Sequence, residues 1–364
     1  MADIFDYISW RGDLTFEQDG FNELDALVLS RLSYLPFDGA VSSCLFDEIT
    51  LEQAAMRVFA TDDYEKNLLW KGDADLLKAT AESKRFGKIL VSGYVNEVES
   101  NVSMQFSAIT FEFLKKNYFI SYRGTDFSLV GWQEDFNMFF TFPLPSQKKA
   151  LDYFEKAVRM LNGKFILGGH SKGGNLALYA AVFCPAEVQD RIRAVYNYDG
   201  PGFDGKVIDT DGYRRVSERV KTFVPQSSVV GMLLGHEEDY ITVHSERVGI
   251  MQHDIYSWEV VCNRFVYLEG TDSSSVFVDH TLKAWIAGMD HAEREKFIDA
   301  IYNVITDTNA STLRDISENP YASVRSMFSS LKNLDEETRN AVTQALTLLL
   351  RSTKAGFTGL RESK

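Results

Sequence analysis

Gly169-His170-Ser171-Lys172-Gly173 sets a serine between two glycines, directly after the apolar run Phe165-Ile166-Leu167. The small-residue stretch Leu176-Ala177-Leu178-Tyr179-Ala180-Ala181-Val182-Phe183 follows at once. Buried strand, then serine, then buried helix is the setting of a nucleophile elbow, where a sharp turn lifts a serine hydroxyl above a sheet edge. Backbone and side chains crowd so closely in such a turn that the positions two before and two after the serine need glycine. The chemistry would be acyl transfer. The Ser171 hydroxyl attacks a carbonyl, and the N–H of Lys172, first in the following helix, faces the developing oxyanion with the helix dipole behind it. The alternative is a glycine-rich turn with no chemistry, so the residues around it have to decide.

A serine nucleophile requires a base, and the oxyanion requires a second donor. In the order strand, elbow, histidine, the base follows the serine, which leaves His236, His244, His253, His280 and His291. His170 adjoins Ser171 and is expected to point away and shape the elbow. His253 leads these candidates because Gly249-Ile250-Met251-Gln252-His253-Asp254 is turn-like and precedes an aromatic segment. It also lies well beyond Val220–Val224, the last strand read from the sequence. His244 and His236 come next, and a surface histidine capping a helix is the competing reading. Asp199, ending the run Ala194–Tyr198 in Tyr198-Asp199-Gly200-Pro201-Gly202, is the candidate orienting acid, with Asp239 second. An aspartate there can equally bond its own turn. Ser121-Tyr122-Arg123-Gly124-Thr125-Asp126 follows an early strand, and Thr125 could supply the second donor through its N–H, its hydroxyl or both. Arg123 is expected to brace that loop through an internal ion pair.

These residues need elements to hold them. Asn22–Leu32, Leu51–Phe59 and Leu68–Phe86 carry apolar residues at helical spacing, so residues 1–85 read as a mostly helical N-terminal region packed on the core. Strand signals begin at Ile89–Val95 and continue at Ser103–Phe111 and Tyr118–Tyr122, with Asn101 and Lys115-Lys116-Asn117 as turns. Helix Ala150–Leu161, strand 165–167, helix 172–183 and strands Ala194–Tyr198 and Val220–Val224 then alternate. That pattern predicts an α/β fold over 86–285, a mainly parallel sheet flanked by helices with antiparallel strands at its leading edge. Residues 286–364 read as a helical C-terminal region. The aromatic run Phe136–Pro145 reads first as a core strand and second as a pocket lining.

At 364 residues, 45% hydrophobic and 25% charged, the composition is that of a globular chain with a large core. Thirty-eight basic against 52 acidic residues leave a net charge of −14, which argues against nucleic acid as partner. Cys44, Cys184 and Cys262 form no close pair, which fits a reducing compartment and no metal site. The acidic start lacks a signal-peptide pattern and no apolar run is long enough to span a bilayer, so a cytoplasmic location without an integral membrane segment is expected. No metal or organic cofactor is suggested, and oligomeric state is open.

Taken together in order, Arg123-Gly124-Thr125, Trp132, Asp135, Gly169-His170-Ser171-Lys172-Gly173-Gly174 and Tyr198-Asp199-Gly200-Pro201 resemble the class 3 lipases, the fungal triacylglycerol lipase-like α/β-hydrolases. The likeness covers roughly residues 86–260. The whole chain also resembles a bacterial family of lipase-like proteins, through the same loop and elbow, Val224-Pro225-Gln226-Ser227-Ser228-Val229-Val230-Gly231 and Gln252-His253-Asp254. The resemblance implies an α/β-hydrolase fold, Ser171 as nucleophile, Thr125 and the Lys172 N–H as oxyanion hole, and His253 as base. It departs at the acid. Class 3 lipases carry it in the loop after the Val220–Val224 strand, where this chain has Gln226-Ser227-Ser228. Asp199 from the preceding strand, a weaker orienter such as Ser227 or Gln226, or loss of catalysis are the three ways to read that gap. The expected function is a serine esterase or lipase acting on a small acyl ester, apolar on the acyl side. An acyltransferase, thioesterase or peptidase using the same serine, or a non-catalytic binding protein of this fold, are the alternatives.

Overall fold

The structure is a computed structural model that describes residues 1–271 apart from 63, 71, 127, 139–140, 204, 229 and 233–238, together with 336 and 339. The region expected to be helical over 286–364 therefore lies outside the described residues, save those last two.

Among the described residues nine strands form one sheet in the order β1-β2-β3-β4-β5-β6-β7-β8-β11. These are β1 (Ile49–Thr50), β2 (Leu90–Glu99), β3 (Met104–Leu114), β4 (Asn117–Tyr122), β5 (Lys164–His170), β6 (Ile192–Tyr198), β7 (Val220–Pro225), β8 (Tyr240–Val243) and β11 (Tyr267–Leu268). A hairpin of β9 (Val260–Val261) and β10 (Arg264–Phe265) stands apart. The leading strands β1 to β4 pair antiparallel, and β4 through β8 run parallel. β11 closes the far edge antiparallel to β8. A parallel strand can join its neighbour only through a crossover, and from β4 to β7 helices supply those crossovers. This is the expected α/β fold, a mainly parallel sheet with antiparallel strands at its leading edge.

Both faces of the sheet are covered, and the strands sort their side chains by period two. Phe119, Ile166, Tyr196 and Tyr198 enter one apolar cluster. Their neighbours Tyr118, Ile120, Phe165, Leu167 and Val195 enter the other. The first cluster packs under the N-terminal helices α1 (Ile4–Arg11), α2 (Glu23–Leu32), α3 (Leu51–Phe59) and α4 (Gly72–Glu82). The second packs under α6 (Pro145–Met160) and α7 (Lys172–Phe183). α7 is buried along Lys172–Val182, which explains its run of alanine, glycine and leucine rather than an amphipathic stripe.

Three expectations need correction. The sheet does not end at β7: β8 precedes His253 and β11 follows it, both too short to show a period. The described residues of the run 136–145 form no strand. Phe136 and Asn137 close helix α5 (Leu129–Asn137), and Pro143 and Pro145 lack the N–H that a ladder requires. Helix α6 begins at Pro145, five residues before its apolar periodicity, with proline in its first turn where no N–H is needed. No helix among the described residues is long and apolar enough to cross a membrane.

Candidate active site

Ser171 joins β5 to α7 at φ +58° and ψ −138°, a strained conformation for a residue with a side chain. The glycines around it have no room for anything else. A Cβ on Gly169 would stand 2.4 Å from the Gly173 carbonyl carbon, and one on Gly173 would stand 2.1 Å from the Tyr122 oxygen. Both obstacles are backbone, so neither can yield. The Ser171 N–H donates to the Tyr198 carbonyl at 2.9 Å, tying the turn to β6. The first N–H groups of α7 have no partner within the helix, and that of Lys172 is the first of them.

The loop Arg123-Gly124-Thr125 lies directly against this turn. A Cβ on Gly124 would come within 2.9 Å of Ser171 Cβ and 2.3 Å of the Tyr34 hydroxyl oxygen. Tyr34 organises the contact: its oxygen accepts from the Gly124 N–H at 3.1 Å and sits 3.1 Å from both the carbonyl oxygen and Nδ1 of His170. Thr125 donates its hydroxyl to Asp135 Oδ1 at 2.6 Å. That hydroxyl is therefore committed to Asp135. Arg123 braces the loop as expected, with Nη2 3.1 Å from Asp126 and 3.0 Å from Asn96 Oδ1.

The Lys172 side chain turns inward and is 2% exposed. Its ammonium sits 2.9 Å from Glu134 Oε2, 3.6 Å from Asp135 Oδ1 and 3.2 Å from Gln105 Oε1. A buried ammonium is tolerated only with such compensation. The pair couples the start of α7 to α5 and, through Asp135, to Thr125.

Asp199 follows β6 at φ +50° and is fully buried. Its Oδ2 lies 2.6 Å from His253 Nδ1, a contact between residues 54 apart in the chain. Its Oδ1 accepts from the Gly231 N–H at 3.1 Å and from the Ser228 hydroxyl. The loop is pinned in turn: Asn175 on α7 donates to the carbonyls of Pro201 and Gly202, each at 3.0 Å. With Nδ1 donating to the carboxylate, His253 Nε2 is left with its lone pair. His253 ends a short 3-10 turn, Gly249–His253. His170 Nε2 donates to its carbonyl at 2.8 Å, and the two imidazoles lie tilted by 34° with centroids 4.4 Å apart. Burial, reinforced by His253 and Arg31, holds the His170 pKa well below the usual histidine range, so that ring stays neutral.

The sequence profile of the Mbeg1-like family matches residues 80–303 of this chain. The chain belongs to the Mbeg1-like family. No curated protein sequence matches it. Among solved structures the Mbeg1-like chain is similar to M37 lipase, at 15% identity and a TM-score of 0.37 over 57% of this chain and 67% of that one. It is similar also to a mutant form of MDLA from Penicillium cyclopium, at 13% identity and a TM-score of 0.39 over 69% and 87%. A third is the Rhizomucor miehei lipase propeptide complex, at 19% identity and 0.34 over 56% and 67%.

Of the residues singled out from the sequence, Ser171 and the loop of Thr125 come together, and so do His253 and Asp199. The other candidates lie elsewhere. His244 pairs with Glu259 at 2.8 Å, Asp239 is exposed beside β8, and His236, His280 and His291 lie outside the described residues. Gln226 is spent on the backbone of Ser245, with both contacts at 2.8 Å. Ser227 donates its N–H to Gln252 Oε1 at 2.7 Å. Ser228, Tyr34 and Asn175 have no signal in the sequence, because a lone hydroxyl or amide in a loop or helix carries no spacing.

Proposed function

We propose that this chain is a serine hydrolase that cleaves carboxylic esters through an acyl-enzyme on Ser171. His253 Nε2 takes the Ser171 proton as Oγ attacks the ester carbonyl. The N–H groups of Thr125 and Lys172 hold the oxyanion. Collapse expels the alkoxide, which receives the proton from His253. Water then attacks the acyl-enzyme with His253 again as base, and the carboxylic acid leaves. Asp199 fixes the tautomer of His253 and stabilises its imidazolium.

The observation that carries this reading is the 2.6 Å contact between Asp199 Oδ2 and His253 Nδ1. The gap at Gln226-Ser227-Ser228 is the feature that favours a non-catalytic binding protein. Asp199 offsets it, because Ser228 from that loop donates to the Asp199 carboxylate. Labelling of the purified protein with a fluorophosphonate tests the proposal. Wild type should label, Ser171→Ala should not, and His253→Ala should label far more slowly. An unlabelled wild-type protein overturns it. Adding a primary alcohol to a turnover assay separates hydrolase from acyltransferase by whether free acid or a new ester accumulates.

A further inference from the structure

A cavity of about 460 Å³ opens beside the oxyanion loop, with Tyr34, Asp38, Asn67, Asn96, Arg123 and Asp126 in its walls. Arg123 and Asp126 bracket Gly124-Thr125, and Tyr34 holds the Gly124 N–H, so cavity wall and oxyanion loop are one piece of structure. We propose that this cavity receives a neutral, hydroxyl-rich part of the ester, a polyol or sugar moiety, and selects such esters over simple aliphatic ones. The proposal rests on the serine-hydrolase reading of Ser171.

Charge narrows the choice of ligand. One guanidinium faces two carboxylates in the lining, so an anionic group meets Asp38 and Asp126 while a cation meets Arg123. A hydrocarbon would desolvate all three, with only Pro36, Val58 and Leu69 to offer it apolar contact. A hydroxyl both donates to a carboxylate and accepts from a guanidinium. Arg123, 5% exposed, stands in the wall with its guanidinium held in place. The remaining groups are already oriented. Arg123 Nη2 bridges Asn96 Oδ1 at 3.0 Å and Asp126 Oδ2 at 3.1 Å. Asn96 Nδ2 reaches Asp38 at 3.3 Å, and the Tyr94 hydroxyl donates to Asp38 at 3.0 Å. Such a preset array of donors and acceptors recognises a ligand without having to reorganise.

The test compares esters of one acid, with glucose monobutyrate and glycerol monobutyrate set against ethyl butyrate. The ratio of kcat/KM for each polyol ester to that for ethyl butyrate should exceed about tenfold in the wild type. It should fall by about the same factor, through KM, in both Asn67→Leu and Asp38→Asn. A fluorophosphonate-reactive Ser171 with both ratios near one, or with ratios unmoved in both variants, overturns the proposal. Butyl glucoside, which has no ester to cleave, gives an independent readout by saturation-transfer NMR. Its binding should be present in Ser171→Ala and lost in Asn67→Leu. If Ser171 does not label, the hydrolase reading falls while the cavity is judged on butyl glucoside alone, and no binding there overturns it as well.

Discussion

Asp199 is held through both of its oxygens, one by His253 and the other by Ser228 and Gly231. An asparagine there keeps the shape but presents an amide where an acceptor is needed. We expect Asp199→Asn to fold normally and to lose about 10⁴ in kcat, measured against wild type on one activated ester. His170 makes a separate residue-scale prediction. Its folded pKa lies well below its unfolded value, so the unfolded chain takes up a proton that the folded chain refuses. This residue therefore costs nothing above about pH 6.5, and stability falls below that by up to about 1.4 kcal/mol per pH unit, until the folded pKa is reached. His170→Gln removes that term. Urea unfolding at neutral and mildly acid pH should show a smaller loss for the variant than for wild type.

At the scale of elements, the elbow depends on how closely β4, β5 and α7 approach. Gly173→Ala would drive a methyl group to 2.1 Å from the Tyr122 carbonyl oxygen, which belongs to β4 and cannot retreat. Loss of soluble protein, or of fluorophosphonate labelling in whatever folds, is the expected outcome. The contact between α7 and α5 rests on the buried Lys172–Glu134 pair, 1% and 0% exposed at the side chains. Lys172→Met strands the carboxylate, and we expect a loss of about 3–5 kcal/mol in a denaturant titration. Adding Glu134→Gln should recover most of it. The amide removes the stranded charge and keeps one acceptor oxygen for the N–H of Gln105 or of Ser146, 3.1 and 3.0 Å from Glu134.

Across the whole molecule, the N-terminal helices do more than cover the sheet. Arg31 on α2 forms a buried two-point pair with Asp73 on α4, at 2.7 and 2.9 Å, and Tyr256 donates to the same carboxylate at 2.6 Å. The Ala2 carbonyl accepts from the Val260 N–H at 2.9 Å. The segment carrying His253 is thus docked on residues more than a hundred positions earlier. Asp73→Asn should lower the unfolding midpoint and slow fluorophosphonate labelling together. A change in stability with no change in labelling rate would show that the two regions are uncoupled.

Helices Glu23–Leu32 and Leu51–Phe59, the alternation from β4 onward and the elbow glycines were all legible in the sequence. Each follows from local periodicity or from a steric demand within a few residues, and such signals survive in one dimension. The elbow of Ser171, its candidate donor Thr125 and its candidate base His253 could be named on that basis. The acid could not be chosen the same way, because Asp199, Asp239, Ser227 and Gln226 all stand in loops where sequence carries no period. Only packing of β6 beside β7 brought Asp199 to His253 and turned Ser228 toward the carboxylate. The part of Tyr34 was likewise invisible: its hydroxyl meets Gly124 and His170 across 90 and 136 residues. Contacts of that span are made by the closed fold, and the chain between them holds no trace of the distance it will bridge.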